Sequence, residues 1–194
     1  MSNAQPIIRP IAPSDFLKVL EINNSNVPAL GELTLEKLHY LVEHSLHALV
    51  VEHHTLVGFC ITFAPNAPYD SLNYLWFCER YEQFVYLDRI AFTSQTQGMG
   101  LGKLLYQHIE QLMRESRLEY PLCCEVNLEP PNPGSLRFHQ SIGFMEVGQI
   151  NFREGYSVAM LSKCSDEMES PTIKMVSFEC TSRQKESRSQ KFWL

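Results

Sequence analysis

The stretch Gln97-Gly98-Met99-Gly100-Leu101-Gly102-Lys103 places three of the chain's nine glycines within five residues. It follows an apolar run ending at Phe92 and a short polar turn, Thr93-Ser94-Gln95-Thr96, and it opens a long amphipathic run. Glycines at a strand-to-helix turn permit positive φ and close backbone approach. The free N–H groups and the positive end of the helix that follows then make an anion site, typically for phosphate. A Walker-type loop needs GxxxxGK followed by Ser or Thr, but Leu104 stands after Gly102-Lys103. A dinucleotide fingerprint needs GxGxxG in an early βαβ unit, whereas the spacing here is GxGxG and falls mid-chain. A turn that cradles the pyrophosphate of coenzyme A is the third reading.

Several elements must position this turn. Residues 5–10 read as a short strand stopped by proline, and Pro13-Ser14-Asp15 opens a helix. Thr34 caps a second helix that reaches about Glu43, with Leu35, Leu38, Leu41 and Val42 on one face. Residues 47–52 and 56–64 form an antiparallel hairpin turning at His53-His54-Thr55. Residues 65–82 are a long aromatic connection, and 84–92 are the central strand. The glycine-led helix runs from about Gly100 to Arg117, and 122–128 form a further strand. Asn132 caps a helix with Pro133 at its first position, ending near Gly143. Strands at 144–151 and 156–162 complete the order β-α-α-β-β-β-α-β-α-β-β, a mixed α/β pattern without internal repeat.

Bulk properties narrow the class. The 194 residues, 44% apolar and 20% charged, suffice for one packed domain and exclude collagen-like, coiled-coil and globally disordered chains. A net charge of −6 argues against a nucleic-acid face. No run approaches a membrane span, and Met1–Pro6 carries no basic or apolar leader, so a cytoplasmic location is expected. Cys60, Cys78, Cys123, Cys124, Cys164 and Cys180 form no CxxC or zinc-ligand pair and are expected as free thiols, with Cys123 and Cys124 on opposite faces of their strand. No metal site is expected. The domain spans 1–164. Residues 165–194, with five acids, five bases and nine apolar residues, read as a tail ending in Phe192-Trp193-Leu194.

Two motifs carry a family resemblance. Gln97, Gly100 and Gly102 fit a pattern of Gln or Arg, two residues, Gly, one residue, then Gly or Ala. Asn132, Ser135, Phe138, Gly143 and Phe144, about thirty residues on, fit a second pattern in which His139 replaces the usual tyrosine. On both motifs and the element order, residues 5–163 resemble the GNAT superfamily of acetyl-CoA-dependent N-acyltransferases. The stretch 125–135 further looks like a bacterial group of acetyltransferases.

The resemblance implies an α/β (α+β) fold, a mixed central sheet with helices on both faces. It implies an acetyltransferase that moves acetyl from acetyl-CoA to an amine, of a small molecule or a peptide, without an acyl-enzyme. Dimers are common in the family, so a homodimer is a further implication. The cosubstrate would lie between strands 84–92 and 122–128. The backbone of Ile90, Ala91 and Phe92 would pair with its pantetheine arm. Gln97, Gly98, Met99, Gly100, Leu101, Gly102 and Lys103 would hold pyrophosphate, with Asn132 and Ser135 close by. Direct attack needs a neutral amine, so a base is required. Asp88 is the first candidate, with pairing to Arg89 as the ordinary alternative; Glu125 on the facing strand is the second. His139 occupies the position of the acid that protonates the thiolate, and Tyr106 is a weaker substitute. Tyr69, Tyr74, Trp76 and Phe77 are expected to wall an acceptor pocket, with Asp70, Glu79 and Glu82 favouring a cationic amine. A CoA-binding sensor without turnover is the alternative from another class.

Overall fold

The computed structural model describes residues 5–118 and 120–164. Its strands alternate apolar side chains between two faces, so each face must be covered. Val50, Phe59, Ile61, Tyr86, Cys123 and Met160 pack in one cluster. Their neighbours Leu49, Cys60, Val85, Leu87, Cys124 and Leu161 pack in another. The strands are β1 (Ile7–Pro10), β2 (His47–His53), β3 (Thr55–Phe63), β4 (Val85–Phe92), β5 (Leu122–Glu129), β6 (Met145–Arg153) and β7 (Tyr156–Lys163). They form one seven-stranded sheet in the order β1-β2-β3-β4-β5-β7-β6. Helices α1 (Phe16–Asn24), α2 (Leu35–His44) and α3 (Leu72–Cys78) cover the first face through Phe16, Val19, Leu38, Leu41, Tyr74 and Phe77. Helices α4 (Leu101–Glu115) and α5 (Pro133–Ser141) cover the second through Leu101, Leu105, Ile109, Leu136 and Phe138.

The sheet is split at its centre. β4 and β5 are its parallel pair, and their register covers only Val85 opposite Leu122 and Tyr86 opposite Cys123. Beyond that point β4 stays on β3 as far as Phe92, while β5 stays on β7 as far as Glu129. The two strands therefore diverge, leaving a V-shaped gap between 87–92 and 124–129 whose inner edges have no ladder partner.

The expected order of elements is present, with one addition. Within 65–82, read as a connection, residues Leu72–Cys78 form α3. Its aromatic and asparagine residues are poor helix formers. The helix is held instead by burial of Tyr74 and Phe77, one turn apart, against Phe84 and Tyr86. The expected caps are found: the Thr34 hydroxyl accepts from the Lys37 amide, and the Asn132 side-chain oxygen accepts from the Ser135 amide at 3.2 Å. Cys123 and Cys124 do sit on opposite faces, and the five cysteines of the described residues are free thiols. The expected tail, 165–194, lies outside the described residues.

Candidate active site

The turn before α4 is built as its glycines require. Gly98 and Gly100 adopt φ of +80° and +77°, a region costly for any residue with a Cβ. Gly100 is the N-cap, and its carbonyl accepts the first helical bond from the Leu104 amide at 3.1 Å. The amides of Leu101, Gly102 and Lys103 precede that bond and have no carbonyl within the helix to receive them. Gly102 serves a different purpose. A Cβ there would lie 3.3 Å from Cζ of Phe138, so its absence lets α4 and α5 approach closely. The two sequence motifs thus touch each other through Gly102 and Phe138.

The edge of β4 follows from its ladder. The Thr93 amide donates to the Val57 carbonyl at 2.8 Å, on the β3 side. By alternation Ile90 and Phe92 turn their polar groups to the gap, and Ala91, opposite Phe59, turns its own to β3. The Phe92 carbonyl accepts from Nδ2 of Asn26, which reaches across from the α1–α2 loop at 3.1 Å. Of the three strand residues singled out in the sequence, two therefore offer backbone groups to the gap.

The carboxyl side of the gap belongs to the face covered by α1–α3. Tyr86 donates its hydroxyl to Oε2 of Glu125 at 2.8 Å. Glu125 is half-buried, and loss of hydration followed by the nearby Asp88 charge pushes its carboxyl up to about 8. Donation from Tyr86 and Asn73 works in the opposite direction. Asp88 is differently placed. Its Oδ1 accepts from the Tyr69 hydroxyl at 2.6 Å and its Oδ2 from Nε of Arg89 at 3.1 Å. Both oxygens have partners, and only 6% of the side chain is exposed.

The other side belongs to the α4–α5 face. His139 is buried, and its Nδ1 lies 2.7 Å from the Ser135 carbonyl, so that nitrogen carries the proton. Nε2 is then an acceptor and receives the Tyr106 hydroxyl at 2.6 Å. Burial pushes the His139 imidazole below its ordinary range and the Tyr106 phenol well above its own. This pair holds one mobile hydrogen on a phenol rather than on an imidazolium. A cleft of about 170 Å³ joins the two sides, lined by Asp88 and Glu125 from one face and Tyr106, Cys124 and His139 from the other. Asn132 and Ser135 line the same cleft, while their caps and the Ser135 carbonyl fix α5 and the imidazole.

The sequence-level candidates thus fall into three groups. Glu125, His139, Asn132 and Ser135 meet at the cleft with Asp88, and residues 97–103 form the turn at the start of α4. The aromatic wall is placed otherwise: Tyr74 and Phe77 are core residues, and Trp76 packs on Gly148 of β6 and stacks with Arg80. Of the four, Tyr69 reaches the site, through its hydroxyl. Asp70 and Glu79 are exposed, Glu79 paired with Arg80. A second hollow of about 270 Å³, between Pro65 and Glu82, is lined by Glu79 and Arg80 and by none of Asp88, Glu125, Tyr106 and His139. Tyr86 escaped notice because it reads as a core strand residue. Its parity with Glu125 across the β4–β5 register was the available signal.

A sheet that parts between two parallel strands, with a glycine-capped helix following the first of them, defines an acyltransferase fold. The chain belongs to the Acetyltransferase (GNAT) family, whose profile matches residues 16–144. Similar solved structures include Ard1 from Thermoplasma volcanium (16% identity, TM-score 0.66, 82% of this chain and 97% of that one). Ribosomal-protein-alanine N-acetyltransferase from Brucella melitensis shares 22% identity with a TM-score of 0.61, over 82% and 99% of the two chains. Arabidopsis thaliana NAA60, solved with a bisubstrate analogue, shares 16% identity with a TM-score of 0.65, over 82% and 98%. No curated protein matches this chain in sequence. Among the described residues no helix is long and apolar enough to cross a membrane, and no group of side chains is placed to hold a metal ion.

Proposed function

We propose that this chain transfers acetyl from acetyl-CoA directly to an amine, with both substrates bound together in the central gap. The observation that carries the reading is the cleft itself, where a carboxyl from one sheet face meets a phenol–imidazole pair from the other. The free amides of the first turn of α4 suit pyrophosphate, and the gap-side groups of Ile90 and Phe92 suit an extended pantetheine arm. Glu125 is the base. A carboxyl with affinity near that of the medium takes a proton from an ammonium more readily than an ordinary glutamate does. Asp88, with both oxygens engaged, is less suited to that role.

The amine nitrogen attacks the thioester carbonyl and its proton passes to Glu125. An N–H at the gap edge of β4 stabilises the oxyanion. As the C–S bond breaks, the Tyr106 hydroxyl turns from Nε2 of His139 and gives its proton to the departing thiolate; solvent then restores it. His139 holds the phenol in place and acts as acceptor, not as acid.

Thiol release from acetyl-CoA, followed across a panel of amines, tests the reading, together with stabilisation by CoA against heat. Turnover with at least one amine is expected. Tight CoA binding with no thiol release on any acceptor, unchanged by His139→Ala, would mark a sensor instead. Stabilisation by ATP or NAD but not CoA would remove the CoA site altogether.

A further inference from the structure

The cleft carries negative charge and has no cationic side chain in its lining. Its lining includes the two carboxyls Asp88 and Glu125 and, among the described residues, no lysine or arginine. Two tyrosine hydroxyls are committed to these carboxyls, Tyr69 to Asp88 and Tyr86 to Glu125. Arg89 spends Nε on Asp88, and its Nη1 on Oδ1 of Asn23 and the Gly31 carbonyl, both at 2.9 Å. The remaining cations stand further out: Lys37 lies over the Tyr69 ring at 5.3 Å, and Arg153 is exposed at the end of β6 beside Tyr156.

We infer that the acceptor is a primary amine with no carboxylate on the carbon next to its nitrogen, such as an alkylamine, an amino-acid amide or a peptide amine, and that Asp88 enforces this choice. The inference rests on the acetyltransfer reading above. The reacting nitrogen must come within hydrogen-bond reach of Glu125. An adjacent carboxylate would then be buried beside Glu125 and Asp88 without a lining cation to offset its charge. A unit charge about 5 Å away at an effective dielectric near 20 changes the affinity of another charge by roughly two orders of magnitude. The ion pair with Arg89 reduces this to about tenfold. Asp88 thus acts as a specificity residue. In Asp88→Asn the Tyr69 and Arg89 contacts are weakened, and the guanidinium becomes free to meet an acceptor carboxylate.

The test compares free amino acids with their own amides, plus n-butylamine, in kcat/KM on the full-length enzyme with saturating acetyl-CoA. Amides and butylamine are expected to exceed the matching amino acids by about 30-fold or more. Asp88→Asn is expected to narrow that ratio about tenfold while CoA affinity stays constant, a change of preference that mere loosening of the fold does not produce. Equal use of amino acids and amides by the wild type overturns the inference, whether or not the variant folds, and so does an unchanged ratio in a folded Asp88→Asn. A CoA-binding protein that accepts no member of the panel overturns it as well. Failure to bind CoA is a different result and removes the acetyltransfer reading beneath it.

Discussion

Replacing Glu125 by glutamine is expected to abolish most activity and at the same time make the protein more stable at neutral pH. The carboxyl titrates near 4.5 in an unfolded chain and near 8 in the fold. Its folded value is raised, so the folded state holds a proton that the unfolded state gives up. Stability conferred by that proton is complete below pH 4.5, falls as pH rises from about 4.5 to 8, and is constant above. At pH 7 the wild type has lost about 2.5 units of the difference, on the order of 3 kcal/mol at ~1.4 kcal/mol per unit. Glutamine keeps the neutral form at every pH and avoids this loss. For a domain of this size about 3 kcal/mol corresponds to roughly 6–12 °C in Tm. The assay is thermal unfolding of both proteins between pH 4.5 and 8.5, beside thiol release. The stability difference should be near zero at the acid end and grow toward pH 8, while kcat/KM falls about 100-fold or more. A variant less stable than wild type at pH 7, or a gap independent of pH, would show that the carboxyl is not held protonated by its surroundings. Undiminished activity would place the base elsewhere.

Other consequences are simpler to state. If Glu125 is the base as proposed, wild-type kcat/KM should rise with pH through about 8 and then level; a limb near 4.5 would exclude it. Tyr106→Phe removes the hydroxyl bonded to His139, and kcat should fall about 100-fold with CoA affinity retained. Gly100→Ala forces a Cβ into φ +77° and should cost about 1–2 kcal/mol of stability and weaken CoA binding, both read by calorimetry. Gly134→Ala, within α5 and with nothing within 4 Å of the added carbon, is the contrasting control and should raise stability by about 0.4–1 kcal/mol while leaving CoA binding unchanged.

Much of the fold was legible because alternation and punctuation agree. The start of β4 partitions Val85 and Leu87 from Tyr86, although the faces exchange after Leu87, where the β3–β4 register shifts, and α4 begins where Gly100 ends the turn. What was hidden depends on long-range pairing. The choice between Asp88 and Glu125 turns on Tyr69 and Arg89 occupying both oxygens of the former, and Tyr69 arrives from 19 residues away. The Tyr106–His139 bond joins residues 33 apart on two helices. Helix α3 has no side-chain cap, is seven residues long and holds two leucines among weaker helix formers, so tertiary burial decides it.

The position of the proposed acid and base relative to the sheet gives the gap a purpose. Tyr86 and Glu125 stand on the face covered by α1–α3, and Tyr106 and His139 are packed on the opposite face. In a continuous sheet a layer of hydrogen-bonded backbone would separate them, and no reaction could use both. Divergence of β4 from β5 after Tyr86 and Cys123 removes that layer where the carboxyl and phenol need to meet. Extending the ladder by even one pair would bring Leu87 against Cys124 and close the deepest part of the cleft. The short parallel register, the unpaired edge of β4 and the chemistry proposed for Glu125 and Tyr106 therefore fit one arrangement: the sheet gives up hydrogen bonds at its centre, and side chains from its two faces share the opening.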